Sequence, residues 1–159
     1  MKRFFPVFLI AILIAALFLT GTVWVFSLLF APQDAILASL PDYERKEFYT
    51  SGGFQDYTDY AKYTYNISET PLIQNPFFRS VDAADIPEIL AYIENFEGWV
   101  DICHDFPREE YDFDTAWVEA GDYFYISSEY EEPDKKFWNY DLYYFDLESG
   151  ILYYFHNNI

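Results

Sequence analysis

Acidic side chains are the chemically most suggestive residues of this chain. Asp101, Asp105, Glu109, Glu110, Asp112 and Asp114 fall within 14 positions, and a hard cation such as Ca²⁺ needs several oxygens at once. Asp101, Asp105, Asp112 and Asp114 are therefore the metal-ligating candidates. Their spacing argues against that role, because the D-F-D at 112–114 runs into Thr115 and Ala116 without the third acid and the glycine of an EF-hand loop. A solvated acidic face is the expected reading, and the same holds for Glu129, Glu131, Glu132 and Asp134. Cys103 beside His104 offers a thiol and a base. Adjacent residues point to opposite faces of a strand, and on a helix they lie about 100° apart, so the two do not form a pair. With two histidines and one cysteine there is no zinc constellation, and neither a Gly-rich phosphate loop nor a G-x-S-x-G elbow is present. No catalytic residue and no cofactor is expected. One N-glycosylation sequon, Asn66-Ile67-Ser68, has meaning only on a eukaryotic secretory route.

Tyrosine is the second unusual feature. All 16 tyrosines lie in residues 34–159, and rings next to acids can stack on sugars, hold cations or fill a protein interface. Tyr57, Tyr63, Tyr143 and Tyr153, with His156 at the end of a tyrosine-rich run, are the binding-surface candidates. The competing role for these rings is a core built from tyrosine, with its hydroxyls reaching the surface.

Several elements must position these residues. Residues 54–65 alternate, with Tyr57, Ala61, Tyr63 and Tyr65 on one side, Asp56, Thr58, Tyr60, Lys62 and Thr64 on the other, and Asp59 as the exception on the aromatic side, which is strand order. Residues 66–80, with Pro71 and Pro76, read as a loop holding a short extended piece at Phe77–Arg79. Asp85, Pro87 and Glu88 form a capping-box start for a helix whose apolar stripe is Ile89, Ile93, Phe96 and Val100, ending between Glu97 and Cys103. The last third reads as a meander. Strands at 116–119 and 123–128 would flank the AGD turn, and strands at 142–146 and 151–156 would flank LESG, whose Gly150 supplies the positive dihedral. The last two runs are apolar or aromatic on both sides, which suggests cover on one face and a tyrosine lining on the other. The expected fold class is α+β: an N-terminal transmembrane helix, then a small domain with one amphipathic helix packed on an antiparallel sheet of about four or five strands.

That transmembrane helix is read from the uncharged run between Phe4 and Gln33. About 20 helical residues match a hydrocarbon core of about 30 Å. The run is too long for the apolar core of a cleaved signal, and the sites ending at Ala31, Ala35 or Ala38 carry Leu29, Gln33 or Ile36 at the upstream small-residue position. The expected organisation is a cytoplasmic stub and anchor at 1–33, a stalk at 34–53 that is helical over 42–49, and an acidic, tyrosine-rich domain at 54–159. Lys2 and Arg3 place the N-terminus in the cytoplasm, the bilayer contact at Phe4 to Ala31, and the remainder outside. That remainder holds all 27 acids but only 7 of the 9 bases, a formal charge of −20. Nucleic acid is excluded as a partner, and an anionic membrane face repels such a domain.

The expected function is accordingly a membrane-anchored extracytoplasmic domain that binds or senses a cationic ligand, a carbohydrate or a protein partner. Its alternatives are a small hydrolase using an acid of 101–114 with His104 or His156, and an acidic inhibitor or immunity-like protein that neutralises a basic partner. The anchor makes a direct prediction. Alkaline carbonate should leave the full-length chain in the membrane pellet, and protease added to the outer side should degrade the region after residue 33. Release by carbonate, or protection of that region, would refute the anchor or its orientation.

Overall fold

The computed structural model describes residues 34–52, 56–66 and 72–159. The chain divides into two compact units, Met1–Ala35 and Ile36–Ile159. The apolar run from Phe4 to Ala31 lies outside the described residues, as do Ile67 and Ser68 of the sequon. No helix among the described residues is long and apolar enough to cross a membrane.

A short helix α1 (Ala35–Ala38) precedes β1 (Arg45–Thr50), β2 (Tyr57–Thr64) and the two-residue β3 (Arg79–Ser80). Helix α2 (Ile86–Ile102) follows, then β4 (Tyr123–Ser128), β5 (Asn139–Asp146) and β6 (Ile151–Asn158). The six strands form one antiparallel sheet in the order β1-β2-β6-β5-β4-β3. The α+β class holds, with six strands rather than four or five.

Side-chain alternation and register together sort the sheet into rows. On the face under α2, Ile126, Leu142, Phe155, Tyr60 and Tyr49 follow one another across β4, β5, β6, β2 and β1. They pack in one core with Ile89, Tyr92, Ile93, Phe96 and Val100 of α2. On the opposite face Ala61, Tyr63, Tyr143, Phe145 and Leu152 form a second core with Ile36, Leu40, Leu72 and Phe78. The LYYFD and ILYYFH runs are thus buried on both sides rather than covered on one, and each large side chain so enclosed contributes about 1.5–3 kcal/mol.

Three local expectations are corrected. Residues 45–50 form a strand, not a helical stalk, because β2 offers them an edge to pair with along all of 59–64 and Tyr49 stacks on Tyr60 at 6.2 Å. Residues 116–119 form no strand: Asp114 accepts the Ala116 N–H at 2.8 Å and starts a 3-10 turn at Thr115–Trp117. In place of that strand, β4 is flanked by β3, where Val81 N–H donates to the Asp122 carbonyl at 2.7 Å. The capping box is also absent, although α2 starts where the sequence puts it. The Asp85 carboxylate takes Arg79 at 2.7 Å and the Asp82 N–H at 3.0 Å, leaving the helix amides uncapped by it. The 147–150 turn is as expected, with Gly150 at φ 70° and its N–H bonded to the Asp146 carbonyl at 3.0 Å.

Buried rings dominate the titration of the fold. Burial pushes the hydroxyls of Tyr60, Tyr111, Tyr140, Tyr144 and Tyr154 well above the ordinary tyrosine value, and that of Tyr153 up to about 12. A raised folded value means stability that is intact below the unfolded value of about 10 and is lost as pH climbs through the folded values. Tyrosinate absorbance should therefore rise in two stages, first the exposed rings and then a cooperative step near pH 12 that coincides with loss of near-ultraviolet dichroism. A smooth single titration with the fold intact would contradict the two-sided core.

Candidate functional site

The acids at 101–114 do not converge. Asp101 pairs with Arg108, Asp112 binds Lys62 Nζ at 2.7 Å and accepts the Tyr60 hydroxyl at 3.0 Å, and Asp114 serves its own turn. Asp105 is exposed beside the exposed His104. Among the described residues no group of three or more His, Cys, Asp or Glu is arranged to hold a metal. Cys103 is half-buried against the α2 core. Lys62 explains why Asp112 is held: it bridges Asp112 and Glu47, the latter at 2.9 Å, and its bond draws the Glu47 carboxyl below its usual range. This is a clamp between β1, β2 and the 111–114 segment.

Of the rings offered to a ligand, Tyr63, Tyr143 and Tyr153 lie inside the cores, since each sits on a strand whose two faces are both covered. Tyr57 is half-buried, with its ring 5.0 Å from that of His156. His156 is itself buried, in a polar row that runs Thr50, Asp59, His156, Asp141, Ser127 across β1, β2, β6, β5 and β4. Asp141 Oδ1 accepts the Tyr154 hydroxyl at 2.7 Å and lies 2.8 Å from His156 Nδ1. A carboxylate only accepts, so Nδ1 carries a proton toward Asp141. Nε2 is buried without a hydrogen-bond partner among the described residues. An oriented imidazole is half of a hydrolytic arrangement. The acids at 101–114 lie with Tyr60 and Lys62 on the α2 side of the sheet and His156 faces the other way, so the structure does not bring these acids to His156.

A groove of about 560 Å³ forms where β3 ends. Because β3 is only two residues long, it leaves β4 unpaired on its outer side beyond Phe124. Phe77 and Arg79 form one end of the groove, Glu88 and Tyr92 of α2 one wall, Phe124–Ser128 the floor, and Tyr130, Glu131 and Lys136 the far rim. Its cations are already engaged. The Arg79 guanidinium lies 4.2 Å over Phe124 and pairs with Asp85 and, at 3.8 Å, with Glu88. Lys136 Nζ lies 5.2 Å over Tyr92 and 4.8 Å over Phe137. Glu131 is exposed, and Glu129 and Glu132 next to it are exposed too.

None of the groove rings was singled out by sequence. Tyr92 falls inside the expected helix but outside its apolar stripe, Tyr125 reads as a strand residue and Tyr130 as part of the charged connection after β4. The EEPDKK stretch was the only local hint, and it shows charge without showing the unpaired strand beside it. Comparison with protein-family models, with curated proteins and with solved structures finds no match to this chain.

Asp59 gives the polar row a measurable signature. Burial raises its carboxyl above the ordinary aspartate value, against the Thr50 hydroxyl and the charges of His156 and Lys46, and Asp141 adds to the rise. A raised acid contributes stability that is present below the unfolded value near 3.8 and lost as pH rises through the folded one. Asp59→Asn should therefore gain stability relative to the parent as pH rises from 3.8, read as the difference in urea midpoint. A difference that falls with pH would reverse this account.

Proposed function

We propose that this protein is a membrane-anchored extracytoplasmic domain that binds a ligand or partner and performs no chemistry of its own on it. The anchor rests on the uncharged run from Phe4 to Gln33 with Lys2 and Arg3 ahead of it. The observation that carries the binding role is the groove at the open end of β4, where Tyr92, Phe124, Tyr125 and Tyr130 surround an uncovered strand edge. Aromatic walls with a few convergent polar groups are what small-ligand and peptide sites are made of. The formal charge of −20 in residues 34–159 favours a cationic partner over an anionic one.

The test uses full-length protein in detergent micelles with fluorotyrosine incorporated and the signals assigned by Tyr→Phe variants. Three probes represent the three ligand classes: triacetylchitotriose, spermidine and an alternating Lys-Val peptide. At least one should shift Tyr125 and Tyr130 and leave Tyr63 and Tyr143 in place, and Tyr130→Ala should weaken that probe about tenfold, roughly 1.4 kcal/mol. Unmoved groove signals with all three probes would defeat the reading.

A further inference from the structure

We propose that the groove takes an extended, basic peptide segment of a partner protein, which adds to the sheet as a further strand along β4. This rests on the reading of the groove as the binding surface, and it specifies the ligand. The argument begins with backbone direction. The Asp122 carbonyl accepts from Val81, so it points toward β3, whereas Glu129 N–H donates to the Asn139 carbonyl, so it points toward β5. Backbone groups alternate along a strand. The N–H and C=O of Phe124, Ile126 and Ser128 therefore point outward, and those of Tyr125 and Ser127 point into the sheet. Arg79 pairs with Phe124. No strand among the described residues pairs with the outer side of Ile126 and Ser128.

An uncovered edge is a template for another strand. Here it has side-chain surfaces to match. An added strand would lay alternate side chains toward Tyr92, Phe124 and Ile126 on the α2 side and toward Phe77 and Tyr125 on the other.

Charge selects the segment. Arg79 pairs with Asp85 and Glu88, Glu132 pairs with Lys135 at 3.4 Å, and Lys136 keeps its charge over Tyr92 and Phe137, so the acids outside these pairs are Glu131 at the groove mouth and, near it in sequence, the exposed Asp134, in a domain of formal charge −20. A lysine- or arginine-bearing segment complements this rim. A second copy of the chain is a poorer occupant. Two β4 edges related by a two-fold axis would bring together two domains of the same large negative charge.

The test measures anisotropy of a fluorescein-labelled alternating Lys-Val peptide with full-length protein in micelles, at low salt. Two further peptides are N-methylated, one on every lysine and one on every valine. Because only one set of peptide N–H groups can face β4, one N-methylated peptide should lose at least tenfold in affinity and the other should bind like the parent. A Glu-Val peptide should bind at least tenfold more weakly than Lys-Val. Ile126→Pro removes an N–H that the sheet does not use along with some packing against the α2 core, so it should abolish binding below its own lowered melting temperature, whereas Ile126→Val, which keeps the N–H, should bind like the parent. Glu131→Lys, at an exposed site, should weaken binding about tenfold. Equal binding of both N-methylated peptides, or of Glu-Val and Lys-Val, would overturn strand addition or its charge preference. Self-association that Ile126→Pro abolishes would overturn it in favour of a second copy. Tyr125 and Tyr130 shifted by the sugar or by spermidine but not by the peptide would overturn this inference and leave the groove as the binding surface. Silence with every probe would end both.

Discussion

Burial of the sheet on both faces is the constraint on which the rest of this structure depends. β2, β6 and β5 carry α2 on one side and the 36–40 and 72–78 segments on the other. Strands in that position have no solvent face on which to place polar side chains, so nearly every position must be large and apolar. Tyrosine meets this demand only if each hydroxyl finds a partner. Tyr140 donates to the Tyr92 carbonyl at 2.9 Å, Tyr144 to the Trp117 carbonyl at 2.9 Å and to Asp122, Tyr154 to Asp141 and Tyr60 to Asp112. The bonds of Tyr140, Tyr144 and Tyr60 run from the sheet to α2 and the loops beside it, while that of Tyr154 joins β6 to β5, so the rings that fill the core also fix where α2, the 111–122 segment and the polar row lie.

The edges follow from that centre in different ways. β1 has its full length paired with β2 and is exposed along much of its outer side, where Arg45, Lys46 and Glu47 supply the charge that discourages a further strand. β3 ends after two residues because the chain turns at Asp82, whose carboxylate accepts the Ala84 N–H at 2.7 Å, and enters α2. Arg79 then ties that turn to the start of the helix through Asp85. One arginine thus closes the corner at the end of β3, whereas the open edge lies beyond its start, where the Phe77 N–H donates to Asn75 Oδ1 at 2.9 Å instead of to β4.

Local signals in the sequence recovered the local elements. The β2 alternation, the α2 stripe and the 147–150 turn each depend on residues close in sequence, and each is where its spacing puts it. The failures are all decisions made at a distance. Residues 45–50 look like a short helix after Pro41 until β2 is set beside them, and 116–119 look like a strand until β3 takes the place beside β4. The same limit explains the sites. Asp59, Asp141 and His156 are scattered along the chain and meet only through the registers of β2, β5 and β6. The groove is less legible still, because its central feature is a stretch of unpaired backbone, which side-chain identity does not encode.

Core and surface are coupled through the same residue types. A core rich in tyrosine needs acceptors at its margins, and carboxylates supply them: Asp112 for Tyr60, Glu97 for Tyr111 at 3.0 Å, Asp122 for Tyr144 and Asp141 for Tyr154. A share of the acids is thereby committed to structure, and only Lys62 and Arg79 among the bases are drawn into comparable half-buried pairs. Glu132 pairs with Lys135 at 3.4 Å and Glu129 accepts from Asn139 at 2.7 Å, and exposed contacts of this kind add little to stability. The acidity of the chain therefore has two separate physical consequences, hydrogen-bond acceptors for a tyrosine core and a negative field around the domain, and it is the second on which the proposed cationic partner rests.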